Sequence, residues 1–423
     1  MADRVDTVEP GGATGTVERD LGGCPVKHLD FASWRPMGSY WQLAKDLRLA
    51  CPHFYNTYGD GSSGYWVFTQ YDAVRDIYKN PEIFSSESFT PWDPEPIYRF
   101  VPTQIDPPNH IKYRRILNKW FSPQRMDEAE PTIRSICRRL VADTAPLGRC
   151  DFVNEFALRF PTEGFLGVIG VDLAHADRFL KWVEDFFAGF GGDPDAAERM
   201  SSALGGIRGY WVDALAERRG ETEARPGDLA SYLMHSRYGD ERPLTDEEML
   251  DMLVVLVLAG LDTTRSELAY MFHHLANHPE DRRRLIAEPE ITPHAVEEAL
   301  RLYTIIFGDG RKVARDVEFH GVELKRGDMV YGLVSAANRD PGVYEQAEEY
   351  VIDRRKNTHF GFAGGPHRCL GMHLARREMQ IAVQEWLHVI PNFRVATDEV
   401  LMERGGGSMM ALKNLPLEWE LPR

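Results

Sequence analysis

The sequence predicts a mainly α fold with a small β portion, and three observations predict it. The first is the longest uninterrupted helical pattern in the chain, opened by Thr245-Asp-Glu-Glu248 in the form of a capping box and running to about Ala276. Its middle, Met252–Leu261, is apolar on every side, which places it through the centre of a domain rather than on its surface. The second is that β-type patterns are short: Tyr65–Thr69, pieces of Val317–Val334, and a tail hairpin. The third is that no Ser/Gly/Pro-rich linker divides the chain after about residue 20. Residues 21–423 are therefore expected to form one large domain, behind a polar, acidic and Gly-rich leader (1–20) expected to be disordered.

Composition narrows the function classes. The chain has 423 residues, 43% hydrophobic and 27% charged, enough for a large core. Its net charge of −16 argues against nucleic acid as a general partner. No run of 18 apolar residues exists and the leader does not read as a signal peptide, so a cytoplasmic protein without a membrane partner is expected. Five cysteines without tight spacing (Cys24, Cys51, Cys137, Cys150, Cys369) read as neither a disulfide framework nor a zinc site.

In chain order, Tyr65–Thr69 follows the Gly59–Gly64 turn and predicts a strand or hairpin. Asp72–Lys79 predicts a short helix closed by Asn80-Pro81. Phe84–Pro102 is too proline-rich for a helix and carries Phe89, Trp92, Tyr98 and Phe100. It predicts a long ordered loop, either covering a site or plugging the core with aromatics. Pro107-Pro108 then starts a helix bearing Lys112, Arg114, Arg115 and Lys119. This basic spot suits the carboxylates of a cofactor or an acidic partner, or is a solvated face. Helices are expected through Glu128–Arg219, broken by glycines, and a charged loop over Arg218–Asp228.

Inside the central apolar run stands Ala259-Gly-Leu-Asp-Thr-Thr264. A carboxylate and two hydroxyls in a buried helix are costly without a reason. Either they make a packing kink with Asp262 in a salt bridge, or they form a groove for dioxygen with a hydroxyl and an acid to pass protons. Thr292-Pro293 predicts an N-cap and the first position of a further helix, which carries Glu297, Glu298 and Arg301. Glu298 and Arg301 share a face, a pair worth little if exposed. Gly308–Arg311 reads as a turn before the strands of Val317–Val334, and Glu403–Leu417 as a hairpin turning at Gly405–Ser408.

Phe360–Arg377 is the stretch with the sharpest chemistry. Cys369 stands between a loop containing Gly361, Gly364 and Gly365 and an amphipathic helix. A cysteine is most often a small buried hydrophobe. At a helix N-terminus its thiolate is favoured, and a bare glycine loop lets something flat approach, which suggests an axial ligand to haem iron.

Phe362-Ala-Gly-Gly365-Pro-His-Arg-Cys369-Leu-Gly371 fits F-x-x-G-x-x-x-C-x-G and resembles the haem-ligand signature of the cytochrome P450 family. With Ala259–Thr264 and the E-x-x-R of 298–301 in order, the resemblance covers nearly the whole chain from about residue 25. Pro102-Thr103 with Asp106-Pro-Pro108, Phe319–Asp328 and His373–Glu378 make it similar to the bacterial class I members, the camphor 5-monooxygenases above all. The resemblance implies a triangular, mostly helical domain with haem b between the long central helix and the cysteine loop.

It also implies roles, position by position. Cys369 matches the thiolate that binds iron, inside a loop flanked by Phe362 and Gly371. Thr263 matches the hydroxyl at the dioxygen site and Asp262 the acid that relays solvent protons to it. Arg114, Arg311 and His367 match the partners of the haem propionates, and Glu298, Arg301 and Arg354 a buried ion network. Tyr98 matches the phenol that hydrogen-bonds a ketone substrate, and Phe89, Thr103, Val255, Leu258 and Asp309 match pocket positions. Tyr303–Gly308 reads as one residue longer than in the camphor enzymes, so Ile305 and Ile306 are expected to face the pocket differently. Ser408 and Met409 stand where those enzymes have branched aliphatics. The substrate implied is a small terpenoid or norisoprenoid with one oxygen, such as camphor, cineole or an ionone.

A [2Fe–2S] ferredoxin with an FAD-containing, NADH-dependent reductase is the implied electron source, meeting Arg114 and Lys356. Ile111 replaces an arginine of the camphor enzymes at that face. Two alternatives stand beside this reading. One is a peroxide-using or non-oxygenating haem-thiolate enzyme, a class that typically lacks the acid–threonine pair. The other is a haem-based sensor, for which an apolar loop and pocket have no use.

Overall fold

The computed structural model describes residues 24–57, 64–92, 94–95, 99–188, 195–239, 241–405 and 407–421. The expected leader, most of the Gly59–Gly64 turn, and Tyr98 lie outside the described residues.

Helices dominate, as expected. The central one, Asp246–Asn277, is a single 32-residue helix capped by the predicted box: Thr245 Oγ1 accepts from Glu248 N–H and Glu248 returns a bond to the Thr245 N–H. It is buried from Met249 to Ala276 on most of its positions, each large apolar side chain contributing about 1.5–3 kcal/mol. Around it pack Arg159–Ile169, Ala176–Ala188, Ala196–Arg218 and Thr292–Leu302, while Met372–Val389 packs against Pro123–Thr144. Gly260 is where the helix Arg159–Ile169 comes closest. A Cβ there would stand 2.6 Å from the Phe165 ring, so the glycine serves close packing rather than loosening of the central helix, which runs unbroken.

The β portion is small and mixed. Six short strands run in the order Val26–Lys27, His53–Thr57, Gly64–Phe68, Met329–Gly332, Asp309–Val313, Phe84–Ser85. His53–Thr57 and Gly64–Phe68 form the predicted hairpin, His53 opposite Phe68. The segment read as a turn at Gly308–Arg311 is instead the start of strand Asp309–Val313, because its backbone pairs with Met329–Gly332 from 20 residues later. The tail hairpin is present, Met402–Arg404 against Ala411–Leu412, and it also pairs with Trp34–Pro36. Pro416–Glu418 pairs with Arg149–Asp151 and Arg394–Val395.

Thr292 is not an N-cap. A 3₁₀ turn over Pro289–Ile291 precedes it, so helix Thr292–Leu302 begins at Thr292 and its buried hydroxyl has no hydrogen-bond partner among the described residues. The described residues of Phe84–Pro102 follow the two-residue strand without further helix or strand, with Phe100 buried in the core and Phe89 packed at its edge.

Candidate active site

The cysteine loop is held by its own backbone. Cys369 N–H donates to Phe362 O at 2.9 Å and Ala363 N–H to Phe360 O at 2.8 Å, after which Gly371 caps helix Met372–Val389. The glycines have a different purpose from the one expected. Gly365 has φ +62°, and a Cβ on it would lie 1.9 Å from Tyr78 O; one on Gly364 would press the Tyr78 side chain at 3.1 Å. Their bareness admits helix Tyr71–Lys79 rather than a ligand, and Gly361 and Gly371 are the loop glycines that face the cavity.

Burial pushes the Cys369 thiol up, against the pull of the Gly371 N–H and of Arg114, Arg376 and Arg368. Three guanidiniums and an amide around one sulfur favour its charged, metal-binding form. Cys150 is also pushed up by burial, with only carboxylates nearby, and Cys137 by burial and Glu385 against Arg134 and Arg138.

Cys369 opens on a cavity of about 380 Å³. All six residues expected to bind the cofactor line it: Arg114, Arg311, Phe362, His367, Cys369 and Gly371. Arg114 Nη2 donates to Arg368 O at 2.8 Å, and Arg311 pairs with Asp309 at 2.9 Å. His367 lies ring to ring with His110, 4.1 Å between centroids, and its buried Nε2 has no hydrogen-bond partner among the described residues. Burial, then Arg311, His110 and Arg114, hold His367 neutral, its pKa pushed down to about 2. Two guanidiniums and an unpartnered ring nitrogen beside a thiol are a donor set for a planar iron cofactor with carboxylate arms, and on that observation haem fits.

The facing wall belongs to the central helix. Val255, Leu256, Ala259, Gly260, Thr263, Thr264 and Glu267 line the cavity, a stripe at helical spacing. Thr263 Oγ1 donates to Ala259 O at 2.8 Å. Leu258 and Asp262, four apart, fall on another face. Leu258 is a correction: it packs into the core and does not line the cavity. Asp262 is buried, with Arg265 Nη1 at 3.3 Å and Arg404 Nη2 at 4.0 Å. Of the two readings, the salt bridge of Asp262 is present without a kink in the helix, and the Thr263 hydroxyl lines the cavity.

Of the expected pocket residues, Phe89, Thr103, Val255, Ile305, Ile306, Asp309 and Ser408 line the cavity. Met409 does not. Its backbone bridges Ile306, and alternation along an extended chain sends Ser408 inward and Met409 to the other side. The expectation for Tyr98 lies outside the described residues.

Glu298, Arg301 and Arg354 come together away from the cavity as one buried network. Glu298 and Arg301 are both fully buried. Glu298 accepts from Arg301 (2.8 Å to each oxygen), from Arg354 Nε at 2.9 Å, from Val351 N–H at 2.9 Å and from Asn357 at 3.0 Å. Arg301 also donates to the carbonyls of Asn338, Ala347 and Glu349. The next residue, Glu297, ties the same helix to Met372–Val389 through Arg376 and reaches His359 at 3.2 Å. Burial opposes its charge, but His359 and Arg376 prevail and hold it down at about 2.

Two cavity acids were not anticipated. Glu378 is pushed well up by burial, with Thr264 pulling the other way, and its buried Oε1 has no hydrogen-bond partner among the described residues; Glu267 is pushed up to about 8. Glu267 could have been found, since it lies four residues past Thr263 on the same face.

Comparison with known proteins agrees with this geometry. The family model for cytochrome P450 matches residues 192–420. Mycinamicin IV hydroxylase/epoxidase of Micromonospora griseorubida is 32% identical over 361 residues, covering 84% of this chain and 89% of that protein. Steroid C26-monooxygenase of Mycolicibacterium smegmatis is 29% identical over 358 residues, 84% of this chain and 88% of that one. The crystal structure of CYP101J2 superposes with a TM-score of 0.84 at 27% identity, covering 96% of this chain and 100% of its own.

Proposed function

The chain belongs to the cytochrome P450 family of haem b monooxygenases, and from that premise we propose that it hydroxylates a small oxygen-bearing terpenoid or norisoprenoid of the camphor, cineole or ionone type. One observation carries the reading: a single cavity is lined by the Cys369 thiol, the Thr263 hydroxyl and the trio Arg114, Arg311 and His367.

In this reading residues 21–423 act as one domain, Cys369 would bind the cofactor's iron through its thiolate, and the trio would hold the cofactor's carboxylates. Bound haem would supply dioxygen activation for insertion of one oxygen atom into a C–H bond, and Cys369 would donate electron density to its iron. Thr263 offers its hydroxyl to the cavity, and Asp262, poised between Arg265 and Arg404, passes protons from solvent toward it. Phe89, Val255, Ile305 and Ile306 exclude water and hold an apolar skeleton. That Asp262–Thr263 pair speaks against the peroxide-using alternative.

Electrons come from a [2Fe–2S] ferredoxin and its NADH-dependent reductase, in the cytoplasm. Exposed Arg115, Lys356 and Arg368 offer cations to an acidic ferredoxin despite the negative net charge, with Ile111 also exposed. Among the described residues no helix is long and apolar enough to cross a membrane.

The test has two stages. The reduced protein under carbon monoxide should absorb near ~450 nm, and without that band the assignment of Cys369 fails. A spin-shift screen across bicyclic monoterpenes, cineole and ionones should then give ligands that are oxidised with NADH, ferredoxin and reductase. A panel without a shift would sink the terpenoid class and leave the ligand assignment intact.

A further inference from the structure

Glu267 lies on the cavity face of helix Asp246–Asn277, one turn beyond Thr263, and is 4% exposed. Its Oε2 accepts the Ile305 N–H at 3.2 Å, which fixes the carboxyl between the helix and the Ile305–Ile306 wall. Its Oε1 is buried and has no hydrogen-bond partner among the described residues. Tyr270 donates to Glu403 Oε2 at 3.0 Å and Asp309 has Arg311. Glu378, the other acid of the cavity, sits beside Thr264 and holds its own unpartnered Oε1 against Gly164.

A carboxylate without a cation in an apolar cavity is costly, so the neutral acid is the stable form. Burial raises its pKa to about 8, partly offset by the Ile305 N–H. With Oε2 already accepting, the acid proton sits on Oε1, the one oxygen still free, and there it is a donor in search of an acceptor.

We propose that Glu267 is a specificity-determining residue whose carboxylic O–H donates a hydrogen bond to a carbonyl or ether oxygen of the substrate, at the wall formed by Ile305 and Ile306. This rests on the reading of the cavity as a substrate pocket and names the wall that reads the substrate's oxygen. The apolar skeleton fills the rest. Losing such a bond while a ligand oxygen stays buried is worth about tenfold in affinity.

Spin-shift titration of the haem-loaded full chain tests it with two matched pairs: camphor with bornane, and 5α-androstan-17-one with 5α-androstane. The wild type should bind the ketone of a pair about tenfold more tightly than its hydrocarbon. Glu267→Gln, which keeps an N–H donor, should retain most of that preference. Glu267→Leu should abolish it by weakening the ketone alone.

A ketone preference undiminished in Glu267→Leu overturns the proposal, as does a wild type without any preference. Should Glu267→Leu fail to fold, the wild type and Glu267→Gln suffice. Raising pH from 6.5 to 9.5 should weaken the ketone and not the hydrocarbon in the wild type, and do neither in Glu267→Gln. Asp309, Arg311 and Glu378 around the cavity, and Tyr270 and Glu403 behind the helix, are present in both proteins, so the difference belongs to Glu267. A wild-type affinity flat with pH overturns the proposal. A preference seen with the steroid pair alone supports Glu267 and refutes the terpenoid class; one seen with camphor supports both. No shift with any of the four compounds refutes both.

Discussion

Substituting Glu298→Gln changes one oxygen to an amide nitrogen at the centre of the buried network. Two guanidiniums, Arg301 and Arg354, then share an uncharged partner, and the new NH₂ is turned toward N–H donors on at least one side. Arg301 is fully buried, so it has no water to fall back on, although its three carbonyl acceptors remain. Breaking a buried ion pair by removing one partner costs about 3–5 kcal/mol. Unfolding entropy of about 2.1 cal/mol/K per residue gives about 0.9 kcal/mol per degree for a chain of 423 residues. The expected fall in Tm of the haem-loaded protein is therefore about 3–6 °C by differential scanning calorimetry at pH 7. An internal control is Asp72→Asn, which breaks an exposed pair with Arg75 and should move Tm by less than about 1 °C. If Glu298→Gln lowered Tm no more than Asp72→Asn, the claim that this network secures the fold would be wrong.

Three further outcomes are expected. Thr263→Val keeps the side chain's volume and removes the hydroxyl that faces the cavity; product formed per NADH consumed should drop severalfold while the carbon monoxide band stays in place. Gly365→Ala drives a methyl into Tyr78 O and strains the left-handed backbone angle, so the cysteine loop must shift; a Tm loss of several degrees and weaker haem retention on gel filtration should result, and an unchanged Tm would contradict the geometry. Glu297 has its folded pKa depressed to about 2 from an ordinary 4.5, so it stabilises the fold above pH 4.5 and that contribution fades as pH falls toward 2. Glu297→Gln should be less stable than wild type at pH 6, and the gap should narrow by pH 3.

What the chain reveals before folding is what depends on near neighbours. The capping box at Thr245 and Glu248 and the cysteine loop closed between Phe362 and Cys369 each involve residues within a few positions, and each appears where it was read. What stays hidden is decided by distant partners. An E-x-x-R pair spells the same whether wet or buried, and at Glu298 and Arg301 the burial is supplied by carbonyls some 40–50 residues away. Gly364 and Gly365 look like room for a cofactor until Tyr78 fills that room from almost 300 residues upstream. Ser408 and Met409 are adjacent in sequence, and only the bridge to Ile306 sends one into the cavity and the other out of it.

The pairing of early and late strands carries a consequence for biosynthesis. Trp34–Pro36 waits for Met402–Arg404, Arg149–Asp151 waits for Pro416–Glu418, and the Ile305 carbonyl waits for the Met410 N–H. A ribosome therefore exposes the greasy length of Asp246–Asn277 well before the segments that seal it exist, since more than a hundred residues must still be translated. At translation speeds of about 5–20 residues per second that interval lasts roughly 6–25 s, ample time for chaperone capture or aggregation. Slower elongation through the last third of the message, or a shortage of holdase, should reduce the yield of haem-loaded enzyme more than either affects a protein whose partner strands are consecutive.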